Sequence, residues 1–78
     1  MVIPLTYIEP GVQAEVVWIA SSPSMAGRLD DLGFSPGETV SCVLKKPGKG
    51  MRAYLVRGAV IALRYENARE IFVQPVTD

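Results

Sequence analysis

The sequence has no histidine and only one cysteine, Cys42, in 78 residues. Without an imidazole, neither a Ser/His/Asp triad nor a Cys/His pair can be assembled, and a lone thiol excludes an internal disulfide and a multi-cysteine zinc site. An excess of one charge is also lacking. Eight Lys and Arg balance eight Asp and Glu, so no overall field draws the chain toward a nucleic-acid backbone or an anionic membrane. Long apolar runs are missing too: the longest charge-free stretch, Val16 to Gly27, is 12 residues and carries Ser21, Ser22, Pro23 and Ser24. A spanning helix needs about 20 apolar residues. Together these absences predict a non-enzymatic domain of the reducing cytoplasm, without a cofactor or a metal site, that meets a membrane only through a partner.

What is present suffices for one core. The residues are 49% hydrophobic and 21% charged, an ordinary globular balance, and a chain this short buries only roughly 60% of its unfolded surface. Turn residues recur at short intervals, as in all-β barrels and sandwiches. From Gln13 the pattern alternates, Gln13 and Glu15 against Ala14 and Val16, then loses alternation at Val17, Trp18 and Ile19. This predicts a strand with a bulge near Trp18. Ser22 followed by Pro23 reads as an N-cap with proline in the first turn, and Met25, Leu29 and Leu32 share one helical face, predicting a helix over Pro23 to Leu32. Gly33 then suits a left-handed stop, with Phe34 folding back onto Leu29.

Ser35-Pro36-Gly37-Glu38 has the order of a type II turn, with proline second and glycine third. A meander follows: Thr39 to Leu44 with Val40, Cys42 and Leu44 inward, a flexible basic tip from Lys45 to Gly50, a returning strand Met51 to Val56, a tight turn at Arg57-Gly58, and a short strand Ala59 to Leu63. Tyr65 to Ala68 forms a helical turn, and a last strand around Ile71 and Val73 ends at Pro75. Five short strands and one short α-helix bury a common core only by curling nearly closed. The predicted fold is mostly β, a small five-stranded SH3-like barrel comprising the whole chain, 1–78.

Arg28-Leu29 with Leu32-Gly33, Pro36-Gly37, Val40, Pro47 and Gly50, Val56 with Gly58, Ile61-Ala62-Leu63-Arg64, Ala68, and Ile71 with Val73 follow one another in this order. In this the chain resembles the ferrous iron transport protein A (FeoA-like) family over roughly Leu5 to Val73. The resemblance implies an SH3-like barrel that assists a membrane ferrous iron permease carrying a cytoplasmic GTPase domain. One departure is that Gly50 is followed by Met51, where similar members often have proline.

Several residues invite a functional reading. Asp30 and Asp31 are adjacent, and so diverge by about a hundred degrees on a helix, which suits solvated surface better than a shared metal. The glycines of Pro47-Gly48-Lys49-Gly50 lie between strands and open no helix, unlike a phosphate loop. Lys45, Lys46, Lys49 and Arg52 form a basic patch beside Tyr54, a solvated hairpin or, alternatively, a nucleic-acid platform. Met51, Arg52 and Tyr54, at the hairpin tip, are the expected partner-binding residues, as a mix that suits contact more than core, although Met51 taken alone reads equally as contact or core filler. Cys42 reads as a core cysteine. Arg64 either pairs locally with Glu66 or anchors an interface.

The leading functional expectation is therefore a regulatory module that binds the iron permease, with self-association left open. The alternative is a metal-responsive or effector-binding domain, and a small nucleic-acid binder is the third reading. A chain without a convergent ligand set gains no stability from metal. The melting temperature is accordingly expected to stay unchanged in anaerobic ferrous iron or zinc, and a clear dose-dependent rise would contradict this.

Overall fold

The computed structural model describes residues 1–76. Its strands are β1 (Ile3–Pro4), β2 (Gln13–Ile19), β3 (Thr39–Lys45), β4 (Arg52–Val56), β5 (Ala59–Leu63) and β6 (Ile71–Pro75), with helices α1 (Pro23–Asp31) and α2 (Tyr65–Ala68). They form one sheet in the order β1-β6-β2-β3-β4-β5, with neighbours antiparallel. The mostly β expectation holds, with one strand more than the five expected. β1 is only two residues, with Ile3 opposite Val73 and Pro4 opposite Phe72. Proline is tolerated there because an edge strand leaves some amides unpaired. A single 3₁₀ turn, Leu5–Tyr7, then carries Leu5 and Thr6 into the interior.

The helix boundaries follow from their caps. Ser22 Oγ accepts from the Met25 amide, and Pro23 occupies the first turn, where a missing amide hydrogen costs nothing. At the other end the Phe34 amide donates to the Leu29 carbonyl at 2.9 Å and the Gly33 amide to Asp30 at 3.0 Å, the paired bonds of a Schellman stop. Gly33 adopts φ +110°. The helix thus ends at Asp31, and Leu32, expected on its buried face, is the half-exposed cap. Met25 packs against the core and Leu29 lies within it. In the next turn the Glu38 amide donates to Ser35 at 3.0 Å with Gly37 at φ +95°, as the proline and glycine positions demand.

Two bulges bend the sheet. One falls between Val16 and Trp18 in β2, where the loss of alternation placed it, and turns Trp18 to the outer face. The second, between Cys42 and Leu44 in β3, is absent from the pattern reading. It corrects the expectation that Leu44 lies inward with Val40 and Cys42: the extra residue reverses the facing and leaves Leu44 exposed. Arg57 and Gly58 both take positive φ, 52° and 77°, closing the two-residue hairpin between Val56 and Ala59.

The core gathers Leu5, Ala14, Val16, Leu29, Phe34, Val40, Tyr54, Val56, Ile71 and Val73. Tyr54 sits at its centre, fully buried, edge-on to Phe34 with ring centroids 6.3 Å apart, its hydroxyl donating to the Leu5 carbonyl at 3.4 Å. Burial pushes the Tyr54 phenol above its ordinary range. The folded state thus favours the neutral phenol. Its contribution is complete below the unfolded value of about 10 and is lost as pH rises through the higher folded value.

Two expectations follow. Gly33→Val forces a β-branched residue into a backbone shape it resists and places its Cβ 3.0 Å from Val56 Cγ2, so stability should fall by at least about 1–3 kcal/mol in urea titration; wild-type stability would refute the cap. Tyr54→Phe should cost about 1 kcal/mol at neutral pH, and its loss of stability above pH 10 should be shallower than that of the wild type. Parallel curves for the two proteins would show that the phenol is not the titrating group.

Candidate functional site

The three residues expected to meet a partner do not lie together on the surface. β4 has strand periodicity, so Arg52, Tyr54 and Val56 share one face, and Val56 is buried. Tyr54 therefore points into the core and Arg52 is 3% exposed, while Met51, preceding the strand, is 39% exposed. The expectation that Arg52 and Tyr54 suit contact more than core is corrected on this ground, and Met51, read equally as contact or core filler, lies at the surface. The signal was legible, because β4 aligns Arg52 and Tyr54 with Val56, while on the alternate face Met51 and Leu55 are exposed and only the small Ala53 is buried.

Arg52 has a local reason to be inside. Its guanidinium donates through Nη1 to the Gly50 carbonyl and through Nη2 to the Gly48 carbonyl at 3.0 Å. The tip between β3 and β4 is closed further by Gly50 to Pro47 and Lys46 to Met51 backbone bonds. The loop read as flexible is thus tied to a buried cation. The Tyr65 ring, at the start of α2, covers that cation at 4.8 Å, and the Lys49 ammonium lies 5.8 Å from the same ring, distances at which a ring quadrupole attracts a cation.

An open pocket of about 420 Å³ lies at this junction, lined by Thr6, Tyr7, Lys45, Gly48, Arg52 and Tyr65. Glu9 also lines it, and its carboxylate accepts from Lys45 Nζ at 2.6 Å. The 3₁₀ turn, the β3–β4 hairpin and α2 therefore meet around one recess. Two of the four cations of the sequence patch, Lys45 and Arg52, line it, and a third, Lys49, stands over the Tyr65 ring.

A second surface lies on the outside of the sheet. Pro4, Phe72 and Trp18 stand opposite one another across β1, β6 and β2. The Trp18 and Phe72 rings stack at 4.8 Å with an interplanar angle of 9°, and Trp18 is 49% exposed. Sequence reasoning placed the bulge but missed its consequence, which is to turn a large aromatic outward beside another. Cys42 is a buried core residue whose thiol pKa burial raises, and its Sγ donates to the Leu44 carbonyl at 3.7 Å. Asp30 and Asp31 are exposed helix surface. Arg64 caps α2 through its backbone; among the described residues it forms no ion pair with Glu66. No group of three or more Cys, Asp or Glu converges as a metal cage among the described residues.

The comparisons with known proteins agree with this architecture. The FeoA domain matches residues 3–75. A crystal structure of an iron uptake regulatory protein, FeoA, is 28% identical with a TM-score of 0.90, covering 97% of this chain and 100% of that one. The FeoA protein from Chlorobium tepidum is 25% identical, TM-score 0.88, over 96% of this chain and 71% of that one. FeoA from Stenotrophomonas maltophilia, solved with zinc and described as a prokaryotic SH3 domain protein and a candidate activating factor of ferrous iron transport, is 29% identical with a TM-score of 0.78. It covers 95% of this chain and 89% of that one. No curated protein matches the chain. A six-stranded antiparallel sheet curled around one core, with a capped helix between its second and third strands and a family match across nearly its whole length, makes this chain a member of the FeoA domain family, linked to ferrous iron transport and SH3-like in fold.

Proposed function

We propose that this chain is a non-enzymatic regulatory module of ferrous iron uptake, working in the cytoplasm by binding the GTPase-containing domain of a ferrous iron permease. The FeoA domain match over residues 3–75 carries the reading. The side-chain inventory supports it. There is no imidazole to act as a base, and the sole thiol is buried and held protonated, so the chemistry available is that of recognition. No helix among the described residues is long and apolar enough to cross a membrane.

The outer aromatic pair is the best-built contact surface for such a partner. Trp18 is held in place by its stack on Phe72 rather than by the core, so its exposed face is ordered before binding. Rigid aromatics of this kind dominate interface energies because little rotamer freedom remains to be lost. Met51, exposed at the hairpin tip, supplies a second, adaptable apolar contact.

Calorimetric titration of the permease's purified cytoplasmic domain tests this. Saturable binding is expected, weakened about tenfold or more by Trp18→Ala, as for an interface residue costing over about 1.4 kcal/mol, with the fold intact by circular dichroism. Met51→Ala measured beside it locates the hairpin tip inside or outside the interface. Absence of binding by the wild type would overturn the proposal, and wild-type affinity in Trp18→Ala would remove the aromatic pair from the interface.

A further inference from the structure

Arginine is almost never buried without a partner carboxylate, because desolvating a guanidinium costs several kcal/mol unless an opposite charge compensates. Arg52 is 3% exposed, yet among the described residues its only polar partners are the carbonyls of Gly48 and Gly50. Its Nε is a buried donor with no partner at all. The two ion pairs formed among the described residues, Lys45 with Glu9 and Arg57 with Glu38, leave it out. Neutral carbonyl oxygens and the Tyr65 ring orient the cation and offset part of its cost, but they supply no net charge.

The surroundings make the imbalance larger. Lys45 and Arg52 both line the pocket, and Lys49 stands over the same tyrosine. Glu9 is the one carboxylate lining it, and Lys45 already holds that group. The whole chain is neutral, so this local excess reflects the placement of residues and not their number. Gly48, with φ +62°, brings backbone rather than side chain to the rim, which keeps the opening clear. Tyr7 and Tyr65 complete the lining, Tyr65 with its ring face toward the Arg52 and Lys49 cations.

We propose that this pocket, enclosed by the 3₁₀ turn, the β3–β4 hairpin and α2, is a binding site for an oxyanion, either a phosphate or a carboxylate group, with Arg52 and Lys45 as its cations. The ligand supplies the counter-charge that the fold withholds from Arg52, and Lys45 turns from Glu9 toward it. Because Arg52 also fastens the hairpin tip, occupancy stiffens residues 46–51 and so couples the pocket to the presentation of Met51 nearby.

The test uses the ¹⁵N-labelled full chain at constant ionic strength, titrated separately with sodium phosphate and with tetraglutamate, and with chloride as the reference. Saturable shifts of the Lys45, Gly48 and Tyr65 amides are expected in at least one arm. Saturation by phosphate alone assigns a phosphate ligand, and saturation by the peptide alone assigns a carboxylate. Lys45→Gln, at a partly buried position outside the apolar core, should weaken the affinity about tenfold, the loss of one charge-assisted contact. Arg57→Gln, outside the pocket, should leave it unchanged. Shifts that follow chloride in both arms, or wild-type affinity in Lys45→Gln, would overturn the proposal.

Discussion

The hydrogen bond from the Tyr54 hydroxyl to the Leu5 carbonyl joins residues 49 positions apart, and most of the architecture is arranged around the ring that makes it. Tyr54 stands at the centre of β4, and its ring meets that of Phe34, the residue that the Schellman stop folds back beneath α1, edge to face. The phenol therefore touches three separately formed units: the N-terminal turn, the helix cap and the meander. A buried hydroxyl without a partner would cost about 1–3 kcal/mol. The position of the 3₁₀ turn is thereby constrained by the core rather than by its own weak propensity. That turn in turn forms one wall of the pocket beside Arg52, so the candidate site inherits its shape from the core.

β4 gives the barrel and the site a common origin. One face of the strand carries Arg52, Tyr54 and Val56 inward. Tyr54 and Val56 complete the apolar core, whereas Arg52, at the end nearest the hairpin, gathers the loop carbonyls and the Tyr65 ring. A single strand thus passes from hydrophobic packing to polar organisation over five residues. The outer aromatic pair has a different origin, in the β2 bulge, where one additional residue moves Trp18 from the core side to the solvent side against Phe72.

These distinctions explain what the sequence made legible. The helix, its serine and glycine caps, the proline-glycine turn, the two-residue hairpin and the first bulge are encoded by local chemistry, and each stands where short-range rules put it, save that the helix stops one residue early and leaves Leu32 as its half-exposed cap. The resemblance in residue order reached the family. β1 escaped because two residues containing a proline show no strand period, and it exists only because β6 offers an edge. The bulge at Val43 escaped because Val43 and Leu44 are both apolar and leave alternation looking intact. Arg52 and Tyr54 were read as surface by residue type, although their spacing from Val56 placed them inside. The aromatic pair and the pocket are long-range juxtapositions, and no local pattern announces them.

The central claim is that the N-terminal turn, the helix cap and β4 form one cooperative core centred on Tyr54. Native-state hydrogen exchange in low concentrations of denaturant tests this most directly, because it separates local opening from global unfolding. The amides of Val16, Phe34, Tyr54 and Ile8, which donates back to Leu5 at 3.2 Å, are expected to exchange only through the global unfolding reaction, with a common opening free energy. Exchange of Ile8 or Phe34 by local opening, at an energy well below that of Tyr54, would contradict a single core and separate the turn or the cap from the barrel.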